Sequence, residues 1–466
     1  MAWPPCWAHP RWSPGCDAGL VHLLQVHLLH PTRAIAPDKS RYYSEMMILR
    51  CLVVAVVLSA CFHPQSAVVG PLEHPASHSA PAAVATEEEP FAPTSSAPRD
   101  LGSPPFRLQL VADPSPSSGV WRLVQLLQEN LTRGGAFIIG PGQSTLRVGP
   151  EAATLYVPTS RGTHERSFPF RRRDADGRAR ALAAQLHRFY LGDSGPYFTR
   201  FAFVAGTGAS PRSRHVFTVN FDGTGVRRVS DDYQPNLLPA WSGAGDLIYT
   251  AFVNSAPALV LRPARGAVQI LARERDLNTG AAFSPDGQQI AVSQSVDGNT
   301  DIYLLDRQGR VRRRLTDHLG IDISPTWSPA GDELVFVSDR GGSPQLHLLS
   351  LRDGGVRRLT TSGFYNQEPD WCPMRGSRQI VYTHRYNGRR YEVHLLDADS
   401  GQATPLTFDG GQNNGPSWSP DCRMVLYSAS QTSLWMVSVD GTRRQRLYSG
   451  IARSPAWSPR LPEGWF

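Results

Sequence analysis

The sequence predicts a mainly β protein, a six-bladed β-propeller preceded by a small α/β domain. Two observations predict the propeller. First, one phrase recurs six times between residues 241 and 457: a small residue, an aromatic anchor and a Ser-Pro-Asp-Gly-like turn. The anchors Trp241, Phe283, Trp327, Trp371, Trp418 and Trp457 are spaced 39–47 residues apart, the period of one four-stranded blade. Second, the two ends of the array are complementary. Three strand-like runs without an anchor (201–204, 215–220, 226–230) precede Trp241, and an anchor strand without followers (454–459) ends the repeats. Joined, they complete a sixth blade, so a ring over residues 198–460 closes by pairing its last strand with its first three, which removes the exposed edges of an open ring.

Each element within a repeat has a physical reason. In the turn, Pro presets φ, Asp bonds local backbone and Gly takes the positive φ. An alternating strand follows, as in 289–293, with one face more buried than the other. Third strands are expected at 302–306, 346–350, 393–397 and 434–438. The fourth is an Arg-rich edge (311–316, 356–360, 443–447), whose charges discourage edge-to-edge pairing.

Residues 106–197 read as the separate α/β unit. A strand is expected at 106–111. Ser118 can cap a helix whose Val120, Leu123, Val124, Leu127 and Leu131 form an apolar stripe, ended by Gly134-Gly135. A second strand at 136–139 and a helix near 176–190, with Ala179, Leu182, Leu186 and Phe189 on one face, complete it.

Residues 46–61 read as a secretion signal: a short charged start, then an apolar run too short to span a membrane as a stable helix. Its end, Leu58-Ser59-Ala60-Cys61, resembles the lipobox of bacterial lipoproteins, which implies lipidation of Cys61 and a membrane anchor. Residues 1–45 fit neither signal nor domain, so translation is expected to start at Met46 or Met47. The Pro/Ala/Ser/Glu-rich stretch 62–105 lacks the apolar content to fold and reads as a disordered tether. The net charge is +7, but all basic residues except Lys39 are Arg recurring at matching blade positions. A solvated strand edge accounts for them, and nucleic-acid binding is not expected.

The search for catalytic chemistry is negative. There is no Gly-x-Ser-x-Gly elbow, His-Glu-x-x-His or phosphate loop, so no catalytic residue, cofactor or metal is expected. His347 and His394 share a third-strand position in adjacent blades and read as structural, while His215, His318 and His384 occupy unrelated positions. Cys372 and Cys422 fall at different turn positions of consecutive blades; two separate thiols are expected, with a disulfide as the alternative. What remains is the set of polar segments just before each anchor, expected at the channel mouth. They contain Asn278, Thr279 and Gly280, then Asp322, then Asn366, Gln367 and Glu368, then Asn413 and Asn414. Turn propensity alone explains the Asn and Gly residues equally well, but variety on a repetitive scaffold suits recognition of a loop or peptide.

These phrases resemble the TolB family over about residues 106–460. The resemblance is strongest in Pro239-Ala240-Trp241-Ser242, 282–287, Asn366-Gln367 and 454–459. It implies a non-enzymatic periplasmic scaffold of the Tol-Pal system, supporting outer-membrane integrity and cell division. It further implies docking of a Pal-like peptidoglycan-associated lipoprotein over the channel, Asn278 to Gly280 foremost, and an N-terminal region facing a TolA-like inner-membrane protein. Three features depart from the family: Leu277 stands where a His is frequent, Cys61 predicts an anchored protein, and the N-terminal domain is shortened. A propeller lyase or hydrolase using channel residues is the competing class, and a paralogue binding peptidoglycan or another ligand is a third.

Overall fold

In the computed structural model, six four-stranded antiparallel sheets follow one another around a ring, with a five-stranded mixed sheet ahead of them. The structure describes residues 105–462 apart from 115, 143, 161, 173, 207–212, 231–234, 273–276 and 387–389. The expected translation start, secretion signal, Cys61 anchor and tether lie outside the described residues.

The leading sheet has β1 (Phe106–Ala112) parallel to both β2 (Phe137–Ile139) and β3 (Ser144–Val148). Beyond β3 come β4 (Ala152–Thr159) and β5 (Gly162–Pro169), each antiparallel to its neighbour. Helix α1 (Ser118–Arg133) begins one residue earlier than Ser118 suggested: Ser117 is the cap, and its hydroxyl accepts the Val120 N–H. Its stripe is buried at Val120, Leu123, Leu127 and Leu131, joined by Leu126, while Val124 packs at the margin. Helix α2 (Ala175–Leu191) is capped by Asp174, whose carboxylate accepts the Gly177 N–H at 2.6 Å. It ends at Gly192, where φ of 83° gives the left-handed C-cap. Strands β3 to β5 are absent from the expectation, and β5 shows why: its one buried residue is Phe168, so the alternation is nearly all polar.

Blades 1 to 5 occupy residues 236–272, 277–314, 322–358, 365–405 and 413–449. Blade 6 closes the ring as the ends of the array require. Its innermost strand is Arg453–Trp457, paired with Arg200–Gly206, then Arg214–Asn220 and Arg227–Arg228. Trp457 seals this junction: its ring meets Phe201 edge-on at 4.8 Å and its indole N–H donates to the Thr199 hydroxyl at 2.8 Å. The outer strands Val311–Arg314 and Val356–Arg358 are exposed along their whole length, as a charged edge should be.

One hydrophobic cluster runs through both parts of the molecule, joining Leu127, Phe137 and Leu186 to Phe221, Met424, Met436 and Trp457. The α/β domain therefore packs on the ring end that carries the first-to-second and third-to-fourth strand turns of blades 5 and 6. Polar ties reinforce it: Arg443 donates to the Gly135 carbonyl at 2.5 Å, and Arg180 pairs with Asp222 at 2.5 Å. The opposite end, bearing the loops that lead into each inner strand, is the one the α/β domain leaves uncovered, called the free mouth below.

Candidate functional site

The channel wall is built by a second repeat nested inside the first. Three residues before each anchor stand Leu238, Gly280, Ser324, Glu368, Gly415 and Ser454, all with φ between 46° and 60°. Each lies at a register shift where the inner strand bulges against the second strand. The next residue is Pro in five blades and Ala281 in the other, consistent with a bulge that needs no ladder N–H. The six left-handed residues and the anchors line a cavity of about 420 Å³ along the ring axis.

This bulge decides which expected site residues face the channel. Gly280 and Glu368 line this cavity; Asn278, Thr279, Asp322, Asn366, Gln367, Asn413 and Asn414 are not among the residues around it. Asn278, Asp322, Asn366 and Asn413, each five residues before its anchor, are fully buried in the wall rather than placed at the mouth. The Asn366 amide donates to Gln345 Oε1 at 2.6 Å in the preceding blade, and its carbonyl oxygen faces His384 Nδ1 at 2.8 Å. Asn413 donates to Glu392 Oε2 at 2.9 Å and to Asp409 at 2.5 Å. Asn278 accepts from Gln294 at 2.7 Å, and Asp322 accepts from Arg340. Asn366, Asn413 and Asn278, whose amide also donates to the Pro257 carbonyl at 3.3 Å, tie successive blades together, while Asp322 is held by Arg340 of its own blade. Thr279, Gln367 and Asn414, one residue on, are half-buried.

Two carboxylates line this cavity: Glu368, singled out from the sequence, and Asp370, which was not. Glu368 accepts from the Thr383 hydroxyl and the Gly415 N–H, both at 2.8 Å, yet burial holds its carboxyl above the usual range. Burial pushes Asp370 up to about 6, against the opposing pull of the Trp418 N–H at 2.8 Å and the Ser417 hydroxyl at 3.1 Å. Asp370 belongs to an inter-blade series in which the residue before one anchor binds the next anchor's N–H, as Thr326 does for Trp371 and Ser417 for Trp457.

At the end of the ring away from the α/β domain, three large apolar side chains are exposed among polar loop residues. Leu319, Phe364 and Phe408 stand in the loops entering blades 3, 4 and 5, at 84%, 60% and 71% exposure. Each stands in a Gly- and polar-rich loop a few positions ahead of the segments singled out from sequence, and a large apolar residue in such a loop is the signal by which it could have been found.

Two expectations about side-chain pairs are corrected. Cys372 and Cys422 form a disulfide, with Cα atoms 5.7 Å apart. Their turn positions differ in sequence, but Cys422 takes a left-handed conformation (φ 53°) and both side chains are buried in the seam between blades 4 and 5. His384 and His394, taken as unrelated, stack at 4.3 Å, because the second and third strands of blade 4 place them diagonally across the ladder. Burial, with His384 adjoining, pushes His394 down to about 3. Among the described residues, one His/carboxylate group has metal-like spacing, His187, Asp193 and Asp421, and it lies at the domain junction rather than in the channel.

Comparison with known proteins fits this architecture. Residues 190–461 match the family described as the TolB beta propeller domain. A protein TolB homolog of Chlorobium chlorochromatii is 31% identical over 170 residues, 34% of this chain and 37% of the relative. The Tol-Pal system protein TolB of Anaeromyxobacter dehalogenans strain 2CP-C is 33% identical over 157 residues, 33% of this chain and 35% of the relative. The matched segments thus span little more than a third of these relatives. The crystal structure of TolB from Acinetobacter baumannii shares the fold with a TM-score of 0.64 at 24% identity, covering 78% of this chain and 98% of that one. The family match covers more than half of the sequence and coincides with the ring of blades: this chain belongs to the TolB beta-propeller family.

Proposed function

We propose that this protein is a non-enzymatic envelope scaffold of the Tol-Pal type, which docks a Pal-like peptidoglycan-associated lipoprotein over the free mouth of its propeller. The observation that carries the reading is the row of exposed Leu319, Phe364 and Phe408 on three successive blades, at the end of the ring that the α/β domain leaves open. Exposed large apolar side chains set among polar loop residues are the anatomy of a protein-binding surface. The half-buried Thr279, Gln367 and Asn414, with Gly280 and Glu368 in the channel, would supply polar contacts to an inserted loop. Buried Asn278, Asp322, Asn366 and Asn413 would act indirectly, by fixing the wall.

The same reading places the protein in the periplasm, held at the outer membrane through a lipidated Cys61, supporting outer-membrane integrity and cell division. A TolA-like inner-membrane partner would meet the N-terminal region. Co-precipitation of the full chain with the host's Pal tests the docking. Wild type should retain Pal, and the triple exchange Leu319→Ser, Phe364→Ser, Phe408→Ser should weaken capture at least tenfold while the circular dichroism of the propeller is unchanged. Folded wild type that captures no Pal would sink the reading. Anchoring is tested separately: metabolic acyl labelling should vanish in Cys61→Ser.

A further inference from the structure

We infer that His187 is a proton-operated clasp between the α/β domain and the propeller. As an imidazolium it donates to Asp193 on its own side of the junction and to Asp421 of blade 5 on the other; on losing a proton it loosens the junction. His187 lies on α2, Asp193 in the loop that follows it, and Asp421 in the turn phrase of blade 5. The imidazole is fully buried and Asp421 nearly so. The two carboxylates flank the ring at opposite nitrogens. Nδ1 is 3.0 Å from both the carbonyl oxygen and Oδ1 of Asp193, and Nε2 faces Asp421 Oδ2 at 3.8 Å. No single ion is ligated by all three residues in this arrangement, but a ring carrying two N–H groups matches it.

A neutral imidazole has one N–H for these two directions. With the proton on Nδ1, the Nε2 lone pair confronts a carboxylate oxygen. With it on Nε2, the Nδ1 lone pair confronts two oxygens of Asp193. Either tautomer sets acceptor against acceptor at a buried site, which is costly. Nε2 and Asp421 Oδ2 accordingly have no hydrogen-bond partner, and 3.8 Å is too long for a bond between them. A second proton on the ring turns this contact into a charge-assisted donor–acceptor pair that a small side-chain shift closes.

The surroundings hold the ring in this orientation. Phe137 and Tyr197 meet it edge-on at 6.3 and 5.8 Å. Gly195, at φ of 62°, folds the loop over it: a Cβ there would lie 2.8 Å from His187 Cδ2. Burial would raise the Asp193 carboxyl, but the His187 ring and the Gly195 N–H, 2.7 Å from Oδ1, hold it below the usual range. Asp421 Oδ1 takes the Ser419 hydroxyl at 2.6 Å, leaving Oδ2 to the ring. The other ionisable groups around the junction, among the described residues, do not serve Oδ2. Arg188 spends its donors on the Ser194 hydroxyl, Arg460 donates to the Gly195 carbonyl, and Arg423 acts on Asp193 through its charge. Burial keeps the Tyr190 and Tyr197 hydroxyls protonated, and that of Tyr197 lies where a Cβ on Gly134 would be.

A proton that bridges only the docked domains favours docking, so the clasp holds in acid and releases as the pH rises through the titration of His187. Amide hydrogen exchange on the full chain, corrected for intrinsic rates, reads the local opening at about pH 5.5 and about pH 8, either side of the ordinary histidine value. In wild type the protection of residues 182–197 should fall roughly tenfold between the two, the worth of one charge-assisted hydrogen bond, while the strand at 289–296 is unchanged. His187→Gln should exchange alike at both pH values. Asp421→Asn sets an amide N–H opposite the Nε2 lone pair and should stay protected at both. His164→Gln, which alters a histidine of the same domain outside the junction, should behave as wild type. A response that persists in His187→Gln, that wild type lacks, or that has the opposite sign would overturn the proposal. If His187→Gln fails to fold, Asp421→Asn decides: a pH response equal to that of wild type would overturn it as well.

Discussion

Arg340 Nη2 donates to both carboxylate oxygens of Asp322, at 2.9 and 3.1 Å, inside a wall where Asp322 has no exposed surface. Burial still holds the Asp322 carboxyl above the usual range, so the guanidinium offsets only part of the desolvation cost. Removing one partner strands the other. Asp322→Ala should therefore cost about 3–5 kcal/mol in urea unfolding, whereas the Asp322→Leu/Arg340→Met double variant should recover much of that loss. Pal capture per folded molecule should stay at the wild-type level in the double variant, because Asp322 is fully buried in the wall.

The left-handed ring around the channel carries strain that glycine would relieve. Ser454 holds φ of 46° at the position where blades 2 and 5 have Gly280 and Gly415. Ser454→Gly should stabilise the fold by about 0.5–1 kcal/mol, measured by chemical denaturation. The reverse change, Gly415→Ser, should be costly, since its Cβ would come within 3.1 Å of Pro455 Cδ in the next blade.

The disulfide links two blades that adjoin in the ring but lie 50 residues apart in the chain. Closing a loop of that length in the unfolded state contributes about 4 kcal/mol by chain entropy. Cys372→Ser/Cys422→Ser should lower stability by up to that amount, and a reductant should bring wild type to the same denaturation midpoint. A midpoint indifferent to both would show that the thiols do not pair.

The fold was legible in the sequence because its information is repeated: six anchors and two complementary ends over-determine the ring, and closure by residues 453–457 follows from counting. The α/β domain was legible only where periodicity is strong, as in α1; β5 shows a single buried residue and gives no signal. The site was half legible. Alternation puts Asn366 and Glu368 on the same face of a regular strand, but the bulge after Gln367 turns Glu368 into the channel and leaves Asn366 bonded to Gln345. The residue types at the bulge itself, Gly, Ser, Glu and Leu, do not mark this register shift; its trace in the sequence is the Pro that follows in five blades. The junction group was illegible for a different reason: His187 and Asp421 are 234 positions apart, and only docking of the two domains brings them together.

Asp370 and His394 should pull the acid stability of the propeller in opposite directions. Asp370 is raised to about 6, so between that value and the unfolded value near 4 the folded chain binds more protons, and acidification stabilises it. His394 is lowered to about 3 by burial, with His384 stacked on it and the Tyr386 hydroxyl 3.2 Å from Nε2. Below pH 6.5 the unfolded chain takes a proton that folded His394 refuses, so each further unit of acid costs about 1.4 kcal/mol. Urea midpoints at pH 4.5 and 7.0 separate the two. His394→Phe removes the opposing titration and should make the protein lose less stability on acidification than wild type. Asp370→Asn removes the favourable one and should make it lose more. Identical pH dependence in all three proteins would show that neither group titrates as its burial requires.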